Sequence, residues 1–268
     1  MFSLVTSLYK TDKYLDAHTK NLRRFANELK EKNISFEIIA IANDVSAREK
    51  QFGKDFSAES WFTFLEVPRE SVFATFNRAF SMAKGDVFGF WNVDDVRYSE
   101  SLVEAEKLFK EGAELVYFPF TVKRYFKVGP WAVPLIWQRI DKQIPEFNQQ
   151  TKKQFLEGMI CGPHFLFTKS LYQQVGPFDE QFKIAGDFDW CIRAAKITDK
   201  FVKAKSLSGV FRVDGGGLSA GANPRRSAEN NLIYKRYNIT GKDEPQPQGD
   251  FNYRADAILV GGNYRDIT

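Results

Sequence analysis

The apolar run Phe88-Gly89-Phe90-Trp91 ends abruptly in Asn92-Val93-Asp94-Asp95, two adjacent carboxylates at the end of a candidate strand. Carboxylate oxygens are preferred ligands of hard divalent cations, which in turn bridge phosphate oxygens. The same acids also suit the first turn of a helix, where negative charge complements the dipole. A second acidic pair, Asp187 and Asp189, follows the segment Val175-Gly176-Pro177-Phe178-Asp179-Glu180. Both can complement a helix start, or one of them, at a cleft, can take a proton from a hydroxyl as a general base. Arg193 stands four residues after Asp189, the spacing of an ion pair on one helical face. His164 precedes an apolar run and reads either as a structural imidazole or as a contact to an acceptor or phosphate. Cys161 and Cys191 lack zinc-ligand spacing and read as small buried groups.

These residues need elements to position them, and the hydrophobic periods supply a pattern. Short apolar runs at Phe2 to Leu8, Phe36 to Ala42, Trp61 to Val67, Val87 to Trp91 and Leu115 to Phe118 read as buried strands. Between them lie helical stripes. One is Tyr14, Leu15, His18, Leu22, Phe25 and Leu29; another is Val72, Phe73, Phe76, Ala79 and Phe80; a third starts at Ser99 with Leu102, Ala105 and Phe109. On this reading His18 is a packing residue. Alternation of strand and helix predicts an α/β fold with a mostly parallel sheet covered on both faces. Ligands of such sheets sit at the carboxyl ends of the strands. That rule singles out Ser7 and Tyr9, Asn43 and Asp44, and Asn92, Asp94 and Asp95. From Pro119 to Gly158, prolines 130, 134 and 145 break any helix, and aromatic and basic residues crowd together, so an irregular functional segment is expected there. Trp131 in this segment suits an acceptor contact, and its aromatic-basic composition also suits a membrane surface or plain packing. Beyond it, a strand at Phe165 to Phe167, helices at Thr168 to Val175 and from Asp187, a strand at Leu207 to Val213 and a helix at Asn223 to Tyr237 are expected. The glycine run Gly215 to Gly217 has no phosphate-loop lysine. Gly241 to Gly249 reads as linker, with one more strand at Ala257 to Val260.

The chain has 268 residues, 38 Lys and Arg against 34 Asp and Glu, and a net charge of +4. With 43% hydrophobic residues and a mean hydropathy of −0.38, it is neither disordered nor polytopic in a membrane. No apolar run approaches the ~20 residues of a membrane span. The first residues lack a basic leader, and two cysteines form no disulfide framework, so a cytoplasmic protein is expected. The charge is too thinly spread to predict nucleic-acid binding. Its 26 phenylalanines must largely fill the core.

In order along the chain, these pieces resemble a family 2-type glycosyltransferase of the GT-A fold, over roughly residues 2–220. Ser3-Leu4-Val5-Thr6-Ser7-Leu8-Tyr9 is similar to that family's first strand and turn, and Ile41-Ala42-Asn43-Asp44-Val45-Ser46 to its strand ending in Asp-Asp-Gly-Ser. Phe76-Asn77-Arg78-Ala79 with Ala83-Lys84-Gly85-Asp86 resembles the helix bearing an Asn before an Ala-Lys-Gly-Asp/Glu turn. Asn92-Val93-Asp94-Asp95 stands at the DxD motif, and Gly176-Pro177-Phe178-Asp179-Glu180 then Gly186-Asp187 at Gly-Gly-Phe-Asp-Glu then Glu-Asp. The resemblance implies a transferase domain over 1–240, with a nucleotide-sugar half at 1–118, an acceptor half at 119–240, and an extension at 241–268. It implies nucleotide-sugar contacts at Ser7, Tyr9, Asp44, Asn77, Asn92 and Asp94. It implies Mn²⁺ or Mg²⁺ on Asp94 and Asp95, and a catalytic base at Asp187, with His164, Trp131 and Asp189 toward the acceptor. The implied reaction is an inverting transfer of one sugar from a UDP- or GDP-linked donor to a carbohydrate or lipid-linked acceptor, with peripheral membrane contact in the lipid-linked case. Asn92 and Gly186 depart from the pattern, as does Ser71, which stands where a glycine is usual. Arg212 and Asp214 stand where the family keeps a basic residue near the phosphates, Asp214 reading as a turn residue or a further metal contact. The alternatives are a non-catalytic carbohydrate-binding protein on the same fold and a sugar nucleotidyltransferase.

Overall fold

A computed structural model describes residues 1–128, 131–141, 143–214, 223–242, 251 and 253–267, without the side chains of 126–128, 131, 132, 135 and 136. The glycine run Gly215 to Gly217 and most of the expected linker lie outside the described residues. Strands β1 (Phe2–Leu8), β2 (Phe36–Asn43), β3 (Phe62–Val67) and β4 (Val87–Phe90) alternate with helices α1 (Leu15–Glu31), α2 (Ala47–Asp55) and α3 (Val72–Met82). Then come β5 (Val96–Arg97), α4 (Ser99–Lys110), β6 (Leu115–Tyr117), β7 (Phe120–Val128), β8 (Trp131–Ile140), α5 (Lys152–Glu157), β9 (Leu166–Thr168) and α6 (Lys169–Val175). The chain closes with α7 (Gly186–Ile197), β10 (Phe201–Lys203), β11 (Gly209–Val213), α8 (Pro224–Tyr237), β12 (Ala257–Val260) and β13 (Asn263–Asp266).

The main sheet has seven strands in the order β10-β6-β9-β4-β1-β2-β3, and only β9 runs antiparallel to its neighbours. The chain moves outward from β1 to β2 and β3, then returns to place β4 on the other side of β1. That reversal opens a crevice at the carboxyl ends of β1 and β4, where α/β sheets bind ligands. Alternation along the strands divides the core between the two faces. Leu4, Ile38 and Ala40 pack toward α1, α2 and α4, while Val5, Ile39, Phe88 and Phe90 pack toward α3, α6, α7 and α8. The second layer is largely aromatic. Phe76 lies 4.5 Å from Phe90, Phe80 stacks on Phe88 at 4.7 Å, and Phe167 meets Trp190 at 4.5 Å.

The stretch expected to be irregular is instead mostly a long hairpin. β7 and β8 pair antiparallel, and with β5 and β11 they form a four-stranded sheet in the order β5-β11-β7-β8. Pro134 is accommodated because β8 is an edge strand and the pairing shifts register between Arg124 and Tyr125, opposite it. The breakers that argued against regular structure therefore mark an edge and a bulge. α2 and the two-residue β5, which the periodicity does not predict, also form; α2 starts at a reciprocal capping box between Ser46 and Glu49.

His18 is 1% exposed, with Trp91 edge-on at 5.2 Å and Phe52 at 5.8 Å, as a packing residue should be. Among the described residues neither of its ring nitrogens has a hydrogen-bond partner. Burial pushes its pKa down from 6.5 to about 3. The unfolded chain therefore binds a proton that the native one rejects between those values. His18 stability is fully present above pH 6.5 and drains away as pH falls toward 3, by about 1.4 kcal/mol per pH unit. We expect His18→Leu to raise the thermal midpoint at pH 7 and to flatten that acid slope. An unchanged slope in melts from pH 7 to pH 4 would contradict the assignment.

Candidate functional site

The candidate residues lie at strand ends and at one helix start. After β1, Tyr9 is half-buried beneath Arg69, whose guanidinium lies 3.4 Å from the ring centroid. Arg69 follows β3, and its N–H donates to Asp44 Oδ1 at 3.1 Å after β2. Asp44 itself takes a left-handed backbone, φ 46°, and is exposed. Ser7 is half-buried at the end of β1. The ends of β1, β2 and β3 thus meet in a Tyr9–Arg69–Asp44 surface with an aromatic face, a cation and an acceptor.

The turn after β4 separates its two acids. Asp95 is 1% exposed, its Oδ1 accepts the Arg212 backbone N–H at 2.9 Å, and its Oδ2 accepts from Asn92 Nδ2 at 3.2 Å. His164 Nε2 is 3.3 Å from that same Oδ2, and its Nδ1 is 3.0 Å from Ser208 Oγ. Burial and the Arg97 charge keep the His164 pKa well below its ordinary value, so the ring is neutral. The tautomer that satisfies both contacts carries its proton on Nε2 and donates it to Asp95. Asp94 is only partly buried. Burial pushes its carboxyl up, and the charges of Asp95 and Asp214 push it further. Asp214 accepts from the Tyr14 hydroxyl at 2.8 Å and from Arg212 Nε at 3.3 Å. The Tyr14 phenol rises well above its ordinary pKa through burial, its bond to Asp214 and the nearby negative charge.

The second acidic pair divides the same way. Asp189 is fully buried; its Oδ1 accepts from Arg236 Nη1 at 2.6 Å and Tyr237 Oη at 2.8 Å, and its Oδ2 from Arg193 Nε at 3.0 Å. Arg236 also donates to Asp179 at 2.9 Å and to the carbonyls of Arg254 and Ala257. Asp187, on the opposite side of that first turn of α7, has no such partner among the described residues. Its Oδ1 accepts the Phe188 N–H at 2.8 Å, and burial, with the negative charge of Glu229, raises its carboxyl to about 6. Glu229 of α8 fixes the approach to this acid. It accepts the consecutive backbone N–H groups of Lys183, Ile184 and Ala185 at 2.8 to 2.9 Å, together with the Tyr253 hydroxyl.

Two sets of neighbours lie between the acidic pairs. Lys183 is held below the usual lysine range by burial and by the charges of Arg225 and Arg69. Cys161 and Cys191 are buried side by side, and the Cys191 thiol also senses Asp187 one turn away. From Cys161 to His164, the partner of Asp95, the chain can span at most about 10–11 Å. Gly186 borders Phe73, whose ring a Cβ at 186 would meet at 2.7 Å, so the carboxylate expected from the resemblance has no room there.

Several expected site residues have other tasks. Asp95, expected on the metal, is an interior acceptor with three donors. Asn92 contributes the amide donor to Asp95 that a carboxylate could not. Asn77, expected to touch nucleotide, bonds the backbone of Phe178 through both amide atoms, as well as Glu180 and the Tyr172 hydroxyl. His164 and Asp189, expected toward the acceptor, are internal. The Trp131 side chain lies outside the described residues. The sequence reading overlooked Arg69, Lys183 and Glu229 and took Tyr14 only as a packing residue. Arg69 lies just past a strand end, so the same edge rule that selected Asp44 could have found it. Among the described residues no group of three His, Cys, Asp or Glu side chains could hold a metal unaided, and no helix is long and apolar enough to cross a membrane.

No family model and no curated protein matches the chain by sequence. Among solved structures, S. aureus TarS 1-349 in complex with UDP-GlcNAc is similar with a TM-score of 0.67 and 15% identity, over 91% of this chain and 68% of that one. TarS in a longer form matches with a TM-score of 0.62 at 15% identity, over 91% of this chain and 40% of that one. The mannosyltransferase PcManGT from Pyrobaculum calidifontis, in complex with GDP-Man and Mn²⁺, matches with a TM-score of 0.59 at 12% identity, over 91% and 66%. The chain has the GT-A glycosyltransferase fold.

The buried ion pairs carry a direct test. Asp189→Asn leaves the Arg193 and Arg236 charges under-compensated, and we expect it to cost about 3–5 kcal/mol in urea unfolding while leaving nucleoside diphosphate affinity unchanged. Weakened ligand binding at unchanged stability would instead return Asp189 to the crevice.

Proposed function

We propose that this protein transfers a single sugar, with inversion, from a nucleoside-diphosphate sugar to a carbohydrate hydroxyl, and that Asp187 is the general base. The observation that carries the reading is the placement of Asp187 in the first turn of α7, on a backbone approach that Glu229 holds through three N–H groups. Burial raises this carboxyl to about 6, so it is ionised at neutral pH yet more basic than an ordinary aspartate. The Tyr9–Arg69–Asp44 surface suits a base and ribose, with Tyr9 offering a stacking face. Arg69, Lys183 and Arg225 bring positive charge toward the approach to α7, where a diphosphate needs it.

A divalent cation fits the carboxylate side of the crevice. The pKa of Asp94 is raised by burial and then by two neighbouring carboxylates, and a cation would relieve that repulsion. Such ions are often held by one or two protein carboxylates, with substrate phosphates completing the shell. Asp94 would hold it, with Asp214 as the neighbouring acid; Mn²⁺ or Mg²⁺ would neutralise charge on the departing diphosphate. Within the protein's own machinery, Asp187 accepts the acceptor hydroxyl's proton as that oxygen bonds to the anomeric carbon. The anomeric C–O bond to the diphosphate breaks, and its electron pair leaves with the nucleotide. Glu229 keeps the 183–185 backbone fixed so that the base meets the hydroxyl in one orientation.

The second reading, a non-catalytic binder on this fold, draws on Asn92 and Gly186 and on the interior use of Asp95. A hydrolysis screen of UDP- and GDP-sugars with Mn²⁺ separates the two. We expect release of nucleoside diphosphate, and a drop of roughly 10²–10⁴-fold in Asp187→Asn with nucleotide affinity retained. Binding without turnover of any donor would favour the second reading. The pH profile gives an independent check. The base works only when deprotonated, so kcat/KM should fall by about tenfold per unit below pH 6 and level off above it. The two acids after β4 should also part company. Asp94→Asn should weaken the Mn²⁺ dependence of nucleotide binding by about tenfold, and Asp95→Asn should chiefly lower the melting temperature. Equal effects of both on Mn²⁺ dependence would overturn that division.

A further inference from the structure

The four-stranded sheet carries a row of alternating cations and aromatic rings that leads away from the carboxylates. Arg212 of β11 is in register with Lys123 of β7, and Lys123 with Trp137 of β8, so the three side chains share one face. The Arg212 guanidinium lies 5.5 Å from the Tyr14 ring centroid and 3.9 Å from that of Tyr125. The Lys123 ammonium lies 5.1 Å from Tyr125 and 4.2 Å from Trp137. Arg139, two residues beyond Trp137 on the same strand, extends the row and pairs with Asp141 at 2.9 Å. The inner end is anchored, because Arg212 pairs with Asp214 beside Asp94. The outer end is open. Trp137 is 61% exposed, and among the described residues Lys123 makes no ion pair. From Arg212 to Trp137 the row crosses two strand spacings, about 10 Å, which suits an oligomer better than one small ion.

We propose that this face binds the acceptor and that the acceptor is an anionic oligosaccharide, one whose sugar units carry phosphate or carboxylate groups. The inference rests on the glycosyltransferase reading, because it is the position of the row beside Asp94 and Asp214 that makes its occupant an acceptor. An indole or phenol face receives the C–H face of a pyranose, and the interleaved ammonium and guanidinium groups receive its negative charges. A neutral glycan would leave Lys123 without a counter-charge. A second copy of the chain is disfavoured as the occupant, since Pro134 and the edge charges of β8 resist strand addition.

The full chain can be titrated calorimetrically with oligogalacturonate and with phosphomannan, using methyl-esterified oligogalacturonate and dextran as neutral counterparts. At least one anionic glycan should bind about tenfold or more tightly than its neutral counterpart, and the affinity should fall with added salt. Trp137→Ala and Lys123→Gln should each weaken that binding by about tenfold, with UDP or GDP affinity and melting temperature unchanged. Equal affinity for charged and neutral glycans, binding unaffected by both substitutions, or no binding of either anionic glycan would overturn the proposal. So would Trp137-dependent retention on phosphatidylglycerol vesicles without glycan binding. Donor hydrolysis present with no glycan binding defeats this inference alone. Glycan binding present with no hydrolysis of any donor defeats the transferase reading and leaves an anionic-glycan face.

Discussion

The buried carboxylate of Asp95 ties together the parts of the molecule that the crevice is made from. It sits where the turn after β4, the strand β11 and the segment before β9 meet, and it bonds one donor from each: Asn92, the Arg212 backbone and His164. An isolated carboxylate taken out of water would cost many kcal/mol, so its burial, which raises the carboxyl's pKa, calls for this full set of partners, and the Arg212 N–H, Asn92 and Arg97 all oppose that rise. The demand is reciprocal. Because the three segments must all reach one buried anion, their relative positions are fixed, and with them the angle between the seven-stranded and four-stranded sheets. Arg97 extends the same restraint by donating to the carbonyls of Phe90 and His164. Asp94, the neighbour turned the other way, is thereby presented from a rigid turn.

A second buried charge cluster does the same for α7. Arg236 of α8 binds Asp179 and Asp189 and the carbonyls of Arg254 and Ala257, while Gln181 and Asp179 bond the backbone leading into β12. The C-terminal hairpin β12–β13 is thus stitched to the 179–189 segment. Glu229 completes the arrangement by taking up three backbone N–H groups that would otherwise point into the interior unpaired. Rigid supporting hydrogen bonds of this kind let a side chain meet its reaction partner without first being ordered.

The main sheet and its flanking helices were legible because buried parallel strands read as unbroken apolar runs and the helices as stripes. The β7–β8 hairpin was not, because its strands carry the charged residues Lys123, Arg124, Lys127 and Arg139 and a proline at the edge. Those residues obey local rules against strands, and only the neighbouring β11 shows why pairing wins. Of the candidate site, the edge rule located Tyr9, Asp44 and Asp94, because position after a strand is a topological property that sequence spacing carries. It could not tell Asp94 from Asp95. Which of two adjacent acids turns inward depends on Arg212, His164 and Arg97, the first of them 117 residues away along the chain. Asn77 shows the same limit: its helix was read correctly, but its partner at Phe178 is 101 residues distant.

The two acidic pairs reach one solution by different geometry. In the turn after β4, adjacent residues diverge. On α7, Asp187 and Asp189 are two residues apart, about 200° around the helix axis, so they face opposite sides. In each pair the inner acid is saturated with donors. For Asp189 this lies beside two arginines, which keep it below its ordinary pKa despite complete burial. The outer acid of each pair is driven upward, Asp94 by burial and carboxylate neighbours against the opposing charge of Arg212, Asp187 by burial and Glu229. On α7 that contrast is complete, whereas after β4 burial raises the Asp95 carboxyl as well, and the Arg212 N–H, Asn92 and Arg97 oppose the rise. On α7 the acid that holds the scaffold is stable as an anion, and the one proposed to accept a proton gains from being less so. Pairing the two kinds within a few residues lets the structural acid fix the backbone from which the reactive acid projects.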